Sequence, residues 1–190
     1  MSETDLVKLY SGRILALAAD MPATEPLTDP QVSVRKRSPL CGSTVTVSLD
    51  VEDGRIIRYA QDVKACALGQ ASASVSGRRV IGCDLEQVRT ARDQLRAMLK
   101  DGGPVPDAPF DGLEVMLPAR EFRNRHASIL LALDATVEAL ECLDADRDFL
   151  KKGNVFDDDQ LDAYIALKME DVERLQLHPP PVEFDMYYKV

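Results

Sequence analysis

The chain has 190 residues, is 45% hydrophobic but only 5% aromatic, has no tryptophan, and carries a formal net charge of −9. That is enough for one well-buried domain with an aliphatic core, plus an appendage. An acidic chain with no basic stripe argues against nucleic acid, no apolar run reaches the ~18 residues of a membrane span, and the acidic start, Met1 to Asp5, is unlike an export signal, so a cytoplasmic location is expected.

In residues 5–19, Leu6, Leu9, Tyr10, Ile14, Leu15 and Leu17 recur at helical spacing, with Thr4 or Asp5 as N-cap and Pro22 beyond the end. Residues 23–30 are rich in Pro, Thr and Asp and predict a loop. Residues 31–37 alternate and predict a first strand. Its Arg35-Lys36-Arg37 is a short basic cluster that fits the solvated face of that strand. Residues 43–52 alternate strictly: Val45, Val47, Leu49 and Val51 point one way, Thr44, Thr46, Ser48 and Asp50 the other. Asp53-Gly54 supplies the positive-φ pair of a tight hairpin, and residues 55–61 return. The prediction is a three-stranded antiparallel meander with one wet face and helices covering the other, an α+β fold.

Residues 66–75, CALGQASASV, are crowded with small side chains and predict a helix packed close against the sheet. Residues 84–100 predict an amphipathic helix capped by Asp84, with Leu85, Val88, Leu95 and Leu99 on one face. Residues 101–111 predict a loop, 110–117 a short helix or extended piece, and 121–143 a long helix carrying Ile129, Leu130, Leu133, Val137 and Leu140. From residue 144 the composition shifts. A second amphipathic helix is predicted over 157–175, before an ending, HPPPVEFDMYYKV, whose three prolines forbid helix. The domain expectation is therefore residues 1–143 and a tail, 144–190.

Four cysteines occur, Cys41, Cys66, Cys83 and Cys142. Without an export signal a reducing compartment disfavours disulfides, so metal or thiol chemistry is the better reading. Cys41 sits in a Pro/Gly turn before the first hairpin strand, and Cys66 25 residues later at the start of a helix. Hairpin strands lie about 5 Å apart, so the chain returns close to where it left, and the two thiols can be neighbours. A helix N-terminus also favours thiolate. Iron–sulfur clusters and zinc take thiolates with imidazole as a substitute. His126, the single histidine outside the tail, opens the long helix and is the candidate third ligand. Cys83 matches an ordinary buried or half-exposed thiol.

These segments, in order, resemble the NifU-like iron–sulfur cluster assembly scaffolds, the group that includes IscU and SufU, over residues 5–142. Leu9-Tyr10 and Pro22 resemble that family's first helix and its proline. Ser38-Pro39-Leu40-Cys41-Gly42 is similar to N-P-x-C-G-D. Lys64-Ala65-Cys66-Ala67-Leu68 with Ala71-Ser72-Ala73-Ser74 is similar to G-C-x-I-S-x-A-S-x-S, and Arg123-Asn124-Arg125-His126-Ala127-Ser128 to the third ligand segment. The 60-residue gap from Cys66 to His126 is nearer the SufU type. The resemblance implies a scaffold or carrier, not an enzyme, holding a [2Fe–2S] cluster or Zn at Cys41, Cys66 and His126. It also implies a cysteine desulfurase and apo-protein acceptors as partners. The family uses three cysteines and an assisting Asp. Here Ser43 stands at the Asp. His126 replaces the third Cys in the SufU register, whereas in the IscU register it matches a His and Ala127 stands at the Cys. Two alternatives follow from those departures: a degenerate interaction protein that holds no metal, and a Zn-dependent sulfurtransferase of the SufU type. Leu117-Pro118-Ala119-Arg120 only partly matches the chaperone-recognised segment of the IscU branch, so that partner is not expected.

Residues 137–190 resemble the extreme C-terminus of bacterial glutamine synthetase, whose ending is H-P-V-E-F-D-M-Y-Y-S-V. None of that enzyme's nucleotide, metal or glutamate segments is present, so no synthetase activity is implied. The resemblance implies a packing element and a homo-oligomer.

Overall fold

The computed structural model describes residues 12–39 and 41–151, with isolated helical positions at Ala163 and Leu167. The predicted tail helix, the proline-aromatic ending and the first turns of the predicted N-terminal helix otherwise lie outside the described residues. The element order is α1 (Gly12–Ala19), β1 (Val32–Arg37), β2 (Thr44–Glu52), β3 (Arg55–Lys64), α2 (Ala67–Gly77), α3 (Leu85–Lys100), a 3-10 helix (Asp111–Ala119) and α4 (Arg123–Lys151). Internal contacts divide the chain into two compact units, Met1–Asp144 and Ala145–Val190. Among the described residues no helix is long and apolar enough to cross a membrane.

The strands form one antiparallel sheet in the order β1-β2-β3. Alternation sets it: Val45, Val47 and Leu49 are buried, and the Thr and Ser between them face the wetter side. Asp53 and Gly54, at φ 49° and 74°, make the hairpin turn. β3 runs three residues beyond its predicted end because Asp62, Val63 and Lys64 keep the alternation and pair with Thr46, Val45 and Thr44.

α2 is built to lie close to its neighbours. A Cβ on Gly69 would sit 2.5 Å from Ser128 Oγ on α4, and one on Gly77 would sit 2.5 Å from the Gln61 amide on β3. Ser72 Oγ donates to the Ile129 carbonyl at 2.7 Å, a buried tether between α2 and α4. α3 begins with a capping box: Gln87 N–H donates to Asp84 Oδ1 at 2.9 Å while Asp84 N–H donates to Gln87 Oε1 at 3.1 Å. The stretch predicted as a short helix or extended piece is the 3-10 helix. The core is aliphatic as composition required, with Leu49, Ile56, Leu68, Leu95, Ile129 and Leu133 fully buried.

Candidate functional site

The sheet register places the site. Thr44 opens β2, Lys64 closes β3, and the two are partners. The segments just outside them, carrying Cys41 and Cys66, therefore leave the sheet at one end. On the first side the chain turns tightly: Ser38 N–H donates to the Ser43 carbonyl at 2.8 Å and Gly42 N–H to the Ser38 carbonyl at 3.1 Å. Gly42 is at φ +70°, a conformation that side chains disfavour. On the second side Cys66 is the extended residue before α2, and its side chain caps nothing. Its thiol is thus not spent on the helix it precedes.

The two thiols are joined by hydroxyls. Cys41 Sγ lies 3.0 Å from Ser43 Oγ. Ser128 Oγ, on α4, donates to Ser43 Oγ at 3.1 Å. Cys66 Sγ lies 3.5 Å from Ser128 Oγ. Either atom can donate in this last contact, because the Ser128 hydroxyl rotates. Cys41 S–H also reaches Ser38 Oγ at 3.3 Å. The absence of a side chain on Gly69 lets α2 bring Cys66 to Ser128.

Cys41 is exposed, Cys66 half-buried. Partial burial pushes the Cys41 thiol up, but bonds from the Ser38 and Ser43 hydroxyls, the Ser43 backbone and Ser128 together outweigh it and hold the group down at about 7. For Ser38 to assist, its rotatable hydroxyl must turn and donate once the thiol has ionised. Near neutral pH Cys41 is therefore substantially thiolate, the form that attacks electrophiles and binds metals. Cys83 is the opposite case: burial first, then the Asp84 carboxylate, push its thiol up, against a lesser pull from Arg55. It is 3% exposed and gives its S–H to the Arg79 carbonyl, which makes it structural. Cys142 is exposed on α4. All four cysteines are free thiols.

His126 is buried at the start of α4, with Nε2 3.0 Å from the Ala119 carbonyl and 3.1 Å from the Arg120 carbonyl. Carbonyls only accept, so Nε2 donates to them, and neither bond uses Nδ1. The ring lines a cleft with Arg96, Lys100, Arg123 and Asp134, and neither thiol lines that cleft. Residues two apart on an α-helix point about 200° away from one another. His126 and Ser128 therefore face opposite ways, and Ser128 is the one that meets the thiols. Ser128 stood in the sequence within the third ligand segment, but with no signal beyond its spacing to single it out. Among the described residues no group of three or more His, Cys, Asp and Glu side chains gathers where a metal ion could be held. The side chains brought into direct contact here are two thiols and two hydroxyls.

No family model matches the sequence. The N-terminal part of a nitrogen-fixing NifU-like protein from Brucella abortus is 42% identical and superposes with a TM-score of 0.70, over 72% of this chain and 95% of that one. A chain described as an iron–sulfur cluster assembly scaffold for the SUF system, from the thermophile Fervidobacterium islandicum AW-1, matches with a TM-score of 0.63 over 70% of this chain and 98% of its own. Its identity is 18%, so that likeness speaks to the fold alone. The curated relatives match a separate segment. Glutamine synthetase of Rhizobium meliloti (strain 1021) is 64% identical over 53 residues, and that of Bradyrhizobium diazoefficiens is 69% identical over 51. The chain spans 11% of the length of these enzymes.

Proposed function

The chain belongs to the NifU-like family, and we propose on that premise that it is an iron–sulfur cluster scaffold, a carrier and not an enzyme, whose cargo is held at Cys41 and Cys66. The observation that supports this most is the hydroxyl chain through Ser43 and Ser128, which ties a thiol on a β-turn to a thiol at a helix start. Two thiolates supply half of the four that a [2Fe–2S] cluster takes, and half of a tetrahedral zinc site. Among the described residues no carboxylate and no third thiol joins the pair. A three-ligand set that includes His126 requires Nδ1, the ring nitrogen its carbonyl bonds leave free, to reach the thiols. Cys41, held ionised near neutral pH, is the first group a cysteine desulfurase or an apo-protein acceptor would meet.

Anaerobic reconstitution with iron and sulfide, or with zinc, followed by metal analysis, tests the reading. Wild type should retain metal, Cys41→Ser and Cys66→Ser should each lose most of it, and His126→Gln should keep it if the two thiols are the protein's whole contribution. Equal metal on wild type and both cysteine variants removes the site from those residues. Wild type without metal, with both thiols freely alkylated, favours an interaction protein that has kept the fold and lost the cargo. Mass spectrometry of Cys41 after incubation with a cysteine desulfurase separates a sulfurtransferase: a +32 Da persulfide that zinc promotes would put the chain in that class.

The tail is proposed to pack on a neighbouring copy and to carry no synthetase activity. Sedimentation of the full chain against one ending at Leu143 should show a smaller species for the shorter chain.

A further inference from the structure

The two edges of the sheet are treated differently. β3's outer edge is occupied: Ile56 N–H donates to the Cys83 carbonyl at 3.0 Å, Gly82 N–H to the Ile56 carbonyl at 2.8 Å, and Gln61 N–H to the Ala23 carbonyl at 2.7 Å. β1 is the other edge, and among the described residues nothing pairs with its outward backbone groups. Such a row of free N–H and C=O groups is a template for another strand. Along β1, Ser33, Arg35 and Arg37 are exposed, while Val32, Val34 and Lys36 are half-buried. Lys36 is neutralised by Glu138 on α4. Arg35 and Arg37 pair with no acid among the described residues, whereas Arg13, Arg55, Arg58, Arg78, Arg89, Arg92 and Arg96 do. Both point to the wet face of the sheet, two residues apart, beside Thr46 and Thr44 in register. The Arg37 guanidinium comes within 3.8 Å of where a Cβ on Gly42 would sit, so the cationic end of β1 adjoins the turn that carries Cys41.

We propose that the outer edge of β1 is a docking strand for an extended partner segment of alternating acidic and apolar residues, added to the sheet beside Val32–Arg37 with one end at the Cys41 turn. The free backbone groups select an extended peptide over other polyanions. Period-two geometry sets the pattern: acidic side chains fall beside Arg35 and Arg37 on the wet face, and apolar ones fall beside Val32 and Val34 on the core side. The two arginines also steer a partner against the chain's overall negative charge. The inference depends on the proposed function only in naming Cys41 as the group such a partner would reach.

The test uses the full, metal-free chain and a synthetic peptide, acetyl-EVETEVE-amide. Its controls are acetyl-KVKTKVK-amide and an N-methylated acidic version that cannot complete a strand ladder. Backbone NMR at low salt should show shifts concentrated on residues 32–37 for the acidic peptide, with at least tenfold weaker binding of both controls. The doubly reversed Arg35→Glu/Arg37→Glu variant, whose folding is checked by its thermal unfolding midpoint, should invert the preference toward the lysine peptide. Shifts centred elsewhere, or equal binding of the N-methylated peptide, overturn the proposal. The latter outcome would mean simple polyanion attraction. Metal is absent throughout, so failed reconstitution and failed docking are separate results.

Discussion

Two polar clusters join the sheet to α4, and they differ in how they end. The first runs Cys41–Ser43–Ser128–Cys66. The second joins Tyr59 and Gln61 of β3 to Thr136, with Tyr59 Oη 3.3 Å from Thr136 Oγ1 and 3.4 Å from Gln61 Oε1. Ser128 and Thr136 are eight residues apart and lie on the broad stripe of α4 that faces the core. In the second cluster the loose ends are tied to backbone: the Gln61 amide donates to the carbonyls of Pro22 and Ala73, each at 3.1 Å, and Thr136 Oγ1 to that of Ala132 at 2.9 Å. Burial there pushes the Tyr59 phenol up to about 12, against a weaker pull from Thr136, so it remains a neutral donor. In the first cluster the chain ends on two thiols, one exposed and held near 7. The same kind of hydroxyl chain is a fastener where it closes on carbonyls, and lowers a thiol's pKa where it opens on sulfur.

That contrast can be broken from either side. The largest effect is expected from Gly69→Val, which drives a side chain into Ser128 and separates α2 from α4 at the thiols. Overpacking of this kind costs about 1–3 kcal/mol, visible as a lower urea midpoint. Cys41 alkylation should also lose its dependence on Ser128. Gln61→Leu strips the Pro22 and Ala73 carbonyls of their donor and the Tyr59 hydroxyl of an acceptor, and should cost roughly 1–3 kcal/mol, while leaving the pH profile of Cys41 alkylation where it was. Tyr59→Phe should cost less, about 0.5–1.5 kcal/mol, and should flatten a specific slope. The raised phenol keeps its proton in the folded state between about pH 10 and 12, whereas the unfolded chain loses it, so stability falls as pH rises through that window. The phenylalanine variant lacks that fall.

The smallest change in stability, and the clearest in reactivity, is expected from Ser43→Ala. It removes a donor to the thiolate, so the alkylation midpoint of Cys41 should rise from about 7 toward the ordinary value of 9. The depressed group stabilises the fold most above the unfolded value, near 9, and loses that contribution as pH falls through about 7. An unchanged midpoint in Ser43→Ala would mean that the hydroxyl chain does not tune the thiol.

Much of the fold was legible because local pattern and tertiary demand agree. Strict alternation in β2, the Asp53-Gly54 turn and the Asp84 cap each specify their element without help from distant residues. The end of β3 was missed because Asp62 and Lys64 are polar, and only pairing with β2 shows that they continue the strand. The placement of Cys41 and Cys66 at one end of the sheet followed from the hairpin. Ser128 was not legible, since its contact with Ser43 spans 85 residues and depends on how α2 seats against α4. Helical rotation, not residue type, decides which of His126 and Ser128 meets the thiols, and a motif aligned letter by letter carries no rotation. The tail is the reverse case: its match to glutamine synthetase was plain in the letters, and its placement lies outside the described residues.

The half-turn that hides His126 from the thiols has a consequence for how the site could be altered. Ser128 already occupies the third corner, within reach of both sulfur-bearing segments, and the exchange of one oxygen for one sulfur there enlarges the side chain only slightly. A Ser128→Cys variant would therefore complete a three-thiol set without moving the backbone, and Ser43→Asp would add a carboxylate at the position beside it. One atom therefore separates this side-chain cluster from a third thiol.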